Sequence, residues 1–130
     1  MASLFTKIIN KEIPAHIVAE DTDNIAFLDI NPLAEGHVLV VPKKEVDYYF
    51  DLEQQDFTRL NLFAKKVAKA IEASVSCQRI GVAVVGLEIP HTHIHLVPLN
   101  TMNDINFSKP KLALSEDKMK VIAERIRENY

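Results

Sequence analysis

A chain of 130 residues with a formal net charge of −3 has room for one hydrophobic core and too little positive charge to grip long nucleic acid. Its 48% apolar and 25% charged residues are the balance of an ordinary globular protein. No apolar run approaches the roughly 20 residues of a membrane span, and the stretch Met1 to Asn10 lacks the sustained apolar core of a signal peptide. Cys77 is the only cysteine, so an intramolecular disulfide and a thiolate zinc cluster are both excluded. We read it as a small packed hydrophobe, and a cytoplasmic setting fits it. The three glycines, Gly36, Gly81 and Gly86, cannot write a Walker loop or a dinucleotide fingerprint, so any phosphate site must be built another way.

No internal repeat or long linker divides the chain, and one domain is expected. Ser3 to Lys11 is predicted to be a short helix, with Ser3 as N-cap and Phe5, Ile8 and Ile9 on one face. Ile17–Glu20 and Asn24–Ile30 read as strands joined by a polar turn at Glu20-Asp21-Thr22-Asp23. A loop opened by Asn31-Pro32 ends at Gly36, and His37–Val41 is a further short strand stopped by Pro42. From about Leu52 to Ser74, Phe57, Leu60, Ala64, Val67 and Ile71 recur at three- and four-residue steps, the stripe of a long amphipathic helix. Arg79–Leu87 and His93–Leu99 are the last two strands, and Ser115–Asn129 is a C-terminal helix capped by Ser115. Strands that pair with sequence neighbours across short turns predict an α+β fold: a five-stranded antiparallel sheet, one long helix on it, and the C-terminal helix.

The informative segment is Gly86-Leu87-Glu88-Ile89-Pro90-His91-Thr92-His93-Ile94-His95-Leu96-Val97-Pro98. On an extended strand His91, His93 and His95 would share one face, about 6.6–6.8 Å apart in succession and about 13 Å end to end, with Thr92, Ile94 and Leu96 on the other. Imidazole is poorly suited to filling a core, and an expression tag would be contiguous and terminal. Two chemistries suit such a row. In the first, one neutral ring is a nucleophile while its neighbour donates a proton, as in phosphoryl or nucleotidyl transfer. In the second, His93 and His95 with His37 or Glu88 hold a metal. One ion about 2.0–2.1 Å from its nitrogen ligands would not readily gather both His91 and His95, however, and no carboxylate-rich metal motif accompanies them.

His91-Thr92-His93-Ile94-His95-Leu96-Val97 resembles the signature of the histidine-triad (HIT) superfamily, with Thr92 at a position that is usually apolar. Phe5-Thr6-Lys7-Ile8-Ile9-Asn10-Lys11-Glu12-Ile13-Pro14-Ala15 is similar to the N-terminal segment of its Hint-like, nucleotide-binding branch. So are Ala26-Phe27-Leu28-Asp29-Ile30-Asn31-Pro32 and Gly36-His37-Val38-Leu39-Val40-Val41-Pro42-Lys43-Lys44. The likeness covers roughly residues 5 to 99.

The resemblance implies a homodimer whose two sheets join. It also implies a purine nucleotide as small-molecule partner, and hydrolysis or transfer at the α-phosphate of phosphoramidates, acyl-adenylates or dinucleoside polyphosphates. No cofactor and no metal is implied. By motif position, His93 is the nucleophile that forms a nucleotidyl-imidazole intermediate, and His95 donates to the phosphate or bridging atom. The His91 carbonyl orients the His93 ring, and His37 completes the polar cluster beside His91. Phe5, Ile8, Phe27 and Ile30 match base-binding positions, and Asp29 matches the acceptor of the ribose hydroxyls. Leu39, Leu87, Glu88 and Ile89 complete the expected nucleotide surface.

The sequence departs from the family just before the triad. Glu88 stands where Hint-like proteins usually carry a serine, the preceding loop is short, and an asparagine that usually contacts ribose or phosphate has no counterpart. A glutamate at this place is an acid when protonated and repels phosphate when ionised. That keeps open a second class of reading, a nucleotide-binding module with weak catalysis. Residues beyond Leu99 show no chemical role in the sequence.

Overall fold

The computed structural model describes residues 2–130. It runs helix α1 (Leu4–Ile9), strands β1 (Ile17–Glu20), β2 (Asn24–Leu28) and β3 (Val38–Pro42), then helix α2 (Gln54–Ser74). Strands β4 (Arg79–Ala83) and β5 (Ile94–Leu99) and helix α3 (Glu116–Asn129) complete it. The strands form one sheet in the order β1-β2-β3-β5-β4, every neighbouring pair antiparallel. This is the predicted α+β architecture, and among the described residues no helix is long and apolar enough to cross a membrane.

Both faces of the sheet are covered, which is why β2 and β3 are buried at every position and read as near-continuous apolar runs. On one face Ala26, Leu28, Val38, Val40, Ile94 and Leu96 pack under Leu60, Ala64, Val67 and Ile71 of α2 and Ile122, Ala123 and Ile126 of α3. Leu60 and Ile71 are fully buried there, and truncating either to alanine would open a cavity costing about 2–5 kcal/mol. On the other face Ile25, Phe27, Leu39 and Val41 pack under Phe5 and Ile8 of α1. That short helix starts where expected, because the Ser3 hydroxyl accepts the Thr6 amide at 3.0 Å.

Strand register carries this second face to His95. Phe27 pairs with Leu39, and Leu39 pairs with His95, so three side chains of equal parity stand in a row across β2, β3 and β5. Gly36 feeds β3 with φ +89, and a Cβ there would come within 2.8 Å of Val75 Cγ2. Only glycine turns the chain into His37 so close to the end of α2.

Several expected boundaries shift. Strand β2 ends at Leu28 rather than Ile30, because the Asp29 carboxylate turns back to accept the Asn31 amide at 2.8 Å. Helix α2 begins at Gln54, after a 3-10 turn at Tyr49–Asp51, while Leu52 is spent in the core. Strand β4 ends at Ala83 rather than Leu87. Its last partner is His95, and beyond it Val84–Pro90 has no strand to pair with.

Strand β5 correspondingly starts at Ile94. The Thr92 amide and hydroxyl both bond the Val46 carbonyl, at 2.7 and 2.8 Å, and draw residues 91–93 off the sheet.

Candidate functional site

That departure breaks the predicted row of three rings. His91 does not line the cavity: it is wholly buried behind His93, between α1 and the end of β3. His93 and His95 do stand together, ring centroids 5.0 Å apart, and both open into a cavity of about 400 Å³. His37 joins them there, and its neighbour is His95, not His91 as the resemblance implied, because β3 and β5 are adjacent strands.

Hydrogen-bond partners fix the proton on every one of these rings. The Leu33 backbone N–H donates to Nδ1 of His37 at 3.0 Å, and a backbone amide can only donate. Neutral His37 therefore carries its proton on Nε2 and donates it to Nδ1 of His95 at 3.0 Å. His95 is left with its proton on Nε2. His93 presents Nδ1 to the His91 carbonyl at 2.8 Å, so Nδ1 carries a proton and, in the neutral ring, Nε2 keeps the lone pair. His91 donates from Nε2 to the Pro42 carbonyl at 2.7 Å, and its Nδ1 accepts from the Ser3 hydroxyl at 2.7 Å. Burial reinforces the neutral forms: it pushes His37 down from 6.5 to about 3 and His95 down to about 4, and it lowers His91.

Ser3 is itself held by Glu45. One Glu45 carboxylate oxygen accepts the Ser3 amide at 2.7 Å and the Thr6 hydroxyl at 2.6 Å. The Thr6 hydroxyl and Ser3 amide hold that carboxyl at about 2, well below the usual range. A chain of contacts thus runs from Glu45 through Ser3 and His91 to the ring of His93. Sequence reasoning named neither Ser3 nor Glu45 as a site residue, since Ser3 lies 88 positions from its imidazole partner.

Asp29 stands at the cavity edge, Oδ2 3.6 Å from Nε2 of His37, with burial raising its pKa. Phe5, Ile8, Phe27 and Leu39 are buried beneath the cavity, Phe5 and Phe27 edge to face at 5.5 Å. Ile30 and Leu87, 73% and 88% exposed, stand at its rim with Glu88 and the half-buried Ile89. The predicted surface is therefore a packed apolar floor with a loose apolar rim, and both belong to one pocket of ligand size.

Two further lining residues, Phe107 and Lys111, come from the segment after β5 that showed no role in the sequence. Cys77 is half-buried outside the lining, and burial pushes its thiol up, as suits a packing residue.

The metal trio foreseen from sequence is not the one that assembles. Asp29, His37 and His95 offer atoms within 4.8 Å of one another, whereas His93 and Glu88 do not join them. In that trio Nε2 of His37 and Nδ1 of His95 already share a hydrogen bond, which an ion would have to displace. Among the described residues nothing bonds Nε2 of His93, and its ring lies 5.0 Å from that of His95, which holds an Nε2–H donor.

The HIT domain family pattern matches residues 10–102. An uncharacterized HIT-like protein of Borreliella burgdorferi is 34% identical over 134 residues, spanning 97% of this chain and 96% of its own length. The adenosine 5'-monophosphoramidase of Schizosaccharomyces pombe is 31% identical over 129 residues, with the same two coverages, 97% and 96%. Among solved structures, a Hit-like protein of Bartonella henselae superposes with a TM-score of 0.85 at 28% identity, covering 98% of this chain and 96% of that one. Fold, motif and whole-length similarity agree, and the chain belongs to the histidine-triad (HIT) family, on its Hint-like branch.

Proposed function

We propose that this protein is a nucleotide hydrolase or nucleotidyl transferase that acts at the α-phosphate of purine nucleotide conjugates through His93. The observation that carries the reading is the fixed tautomer of that ring: Nδ1–H is tied to the His91 carbonyl, which leaves Nε2 as a nucleophile at the cavity wall. Its lone pair attacks the α-phosphorus and the phosphorus–nitrogen bond forms. The bond to the leaving group breaks with its electron pair, and the leaving group is protonated from solvent. His95 Nε2–H, oriented by His37, donates a hydrogen bond to the oxygen where charge accumulates. Water then attacks the nucleotidyl-imidazole, releases the nucleoside monophosphate and returns the pair to Nε2.

The base lies over the floor of Phe27 and Leu39 between Ile30 and Leu87, and Asp29 accepts the ribose hydroxyls. The phosphoramidase name of the fission-yeast relative makes adenosine phosphoramidates the first substrates to try. A homodimer through β4 also fits. That strand is a sheet edge, Val82 on it is 63% exposed, and Tyr48 and Phe50 beside it are 57% and 70% exposed.

The test is turnover of an adenosine phosphoramidate by the parent and by His93→Ala, with circular dichroism as the folding control. Loss of turnover in a folded variant supports the reading. Undiminished turnover contradicts it. Tight adenosine monophosphate binding by the parent with no turnover of any conjugate would favour the binding-module alternative raised by Glu88.

A further inference from the structure

The cavity pairs carboxyl groups with few cationic partners. Burial holds His37 and His95 neutral, and the other ionisable side chains on its lining are those of Asp29, Glu88, His93 and Lys111. A nucleotide phosphate brings more negative charge into this partly desolvated space. Without a cation, burying it there is unfavourable. Among the described residues Lys111 is the only cationic side chain on the lining.

Its placement is built rather than incidental. After β5 the chain passes through a 3-10 turn at Met102–Ile105 and returns across the site. Phe107 sets its ring 4.7 Å from His95 and 6.5 Å from His37, edge on to both. The Leu112 amide then bonds the Pro32 carbonyl at 2.9 Å, which ties the segment to the loop that follows Asp29. Between these anchors Lys111 donates to the carbonyls of Phe107 at 2.7 Å and Lys109 at 3.3 Å. It joins no ion pair with a carboxylate among the described residues. An ammonium has three donors, and carbonyls orient it without neutralising its charge. It stays close enough to be felt electrostatically at both Asp29 and His37.

We propose that Lys111, carried over the site by the segment after β5, binds the substrate's phosphate and makes the cavity prefer nucleotides to bare nucleosides. The inference rests on the nucleotide reading above. It assigns a specificity role to a stretch that lies beyond residues 10–102, the part matched by the family.

Calorimetric binding of adenosine monophosphate and adenosine to the parent, Lys111→Gln and Lys111→Arg tests it, since neither ligand is turned over. The parent should bind the monophosphate more tightly than the nucleoside. Lys111→Gln should weaken monophosphate binding about tenfold while leaving adenosine binding unchanged, and Lys111→Arg should retain most of the preference. An unchanged ratio in Lys111→Gln, including the case where both ligands weaken together, overturns the assignment and leaves the lysine a structural anchor. Failure of the parent to bind either ligand would instead overturn the nucleotide reading itself.

Discussion

Nε2 of His37 lies 3.0 Å from Nδ1 of His95, and the direction of that hydrogen bond is set from outside the pair, by the Leu33 amide on Nδ1 of His37. His37 is thus a positioning residue that acts through His95. It stabilises the one tautomer of His95 whose remaining N–H can point at a ligand.

Replacing His37 by phenylalanine keeps a ring in the space and removes the donor. His95 then distributes its proton between both nitrogens. We expect kcat to fall about 10- to 100-fold with little change in KM. Nitrogen NMR of the His95 ring should move from a single tautomer to a mixture. His37→Gln, whose amide can still donate, should recover part of the rate; equal losses in the two variants would mean that His37 only fills space.

Ser3 does two jobs at one hydroxyl, capping α1 through the Thr6 amide and donating to Nδ1 of His91. Ser3→Ala removes the cap and leaves a buried acceptor without a donor. The expected cost is about 2 kcal/mol in urea unfolding. Ser3→Thr, which keeps the hydroxyl, should lose much less. A Ser3→Ala protein as stable as the parent would show that neither bond contributes in solution.

Acid should destabilise the fold through the same rings. His37 and His95 titrate at about 3 and about 4 when folded, against 6.5 in the unfolded chain. Between these values the unfolded chain holds protons that the folded one lacks, so stability rises with pH across the window and is lost as pH falls through it. Removing one such group, in His37→Phe, should flatten the stability profile between pH 6 and 4.5 by about 1.4 kcal/mol per pH unit. Parallel profiles for parent and variant would show that His37 is not held neutral by the fold.

Much of this was legible in the sequence, and the failures have physical causes. The stripe from Phe57 to Ile71 marked α2, and Ser3 and Ser115 marked the starts of α1 and α3, because caps and periodicity are local signals. Position in the motif also foretold the bond from His93 to the His91 carbonyl. The alternation argument failed at His91 because parity holds only inside a strand, and Thr92 leaves the sheet to bond Val46. His37 was paired with the wrong histidine because strand order, β3 beside β5, is a property of the whole sheet. Phe107 and Lys111 left no local trace, since their return to the site depends on a turn at Met102–Ile105 and an anchor on Pro32.

Everything proposed about chemistry depends on Nε2 of His93 being the atom that meets phosphorus. The most direct measurement is alkaline rapid quenching of the parent with an adenosine phosphoramidate, followed by peptide mass mapping at a pH that preserves phosphorus–nitrogen bonds. One adenylyl group is expected, on the peptide spanning His93 and assigned to that residue, forming and decaying within a turnover and absent from His93→Ala. An adenylyl group on His95 or His37, or steady turnover with no adduct at any time point, would contradict it.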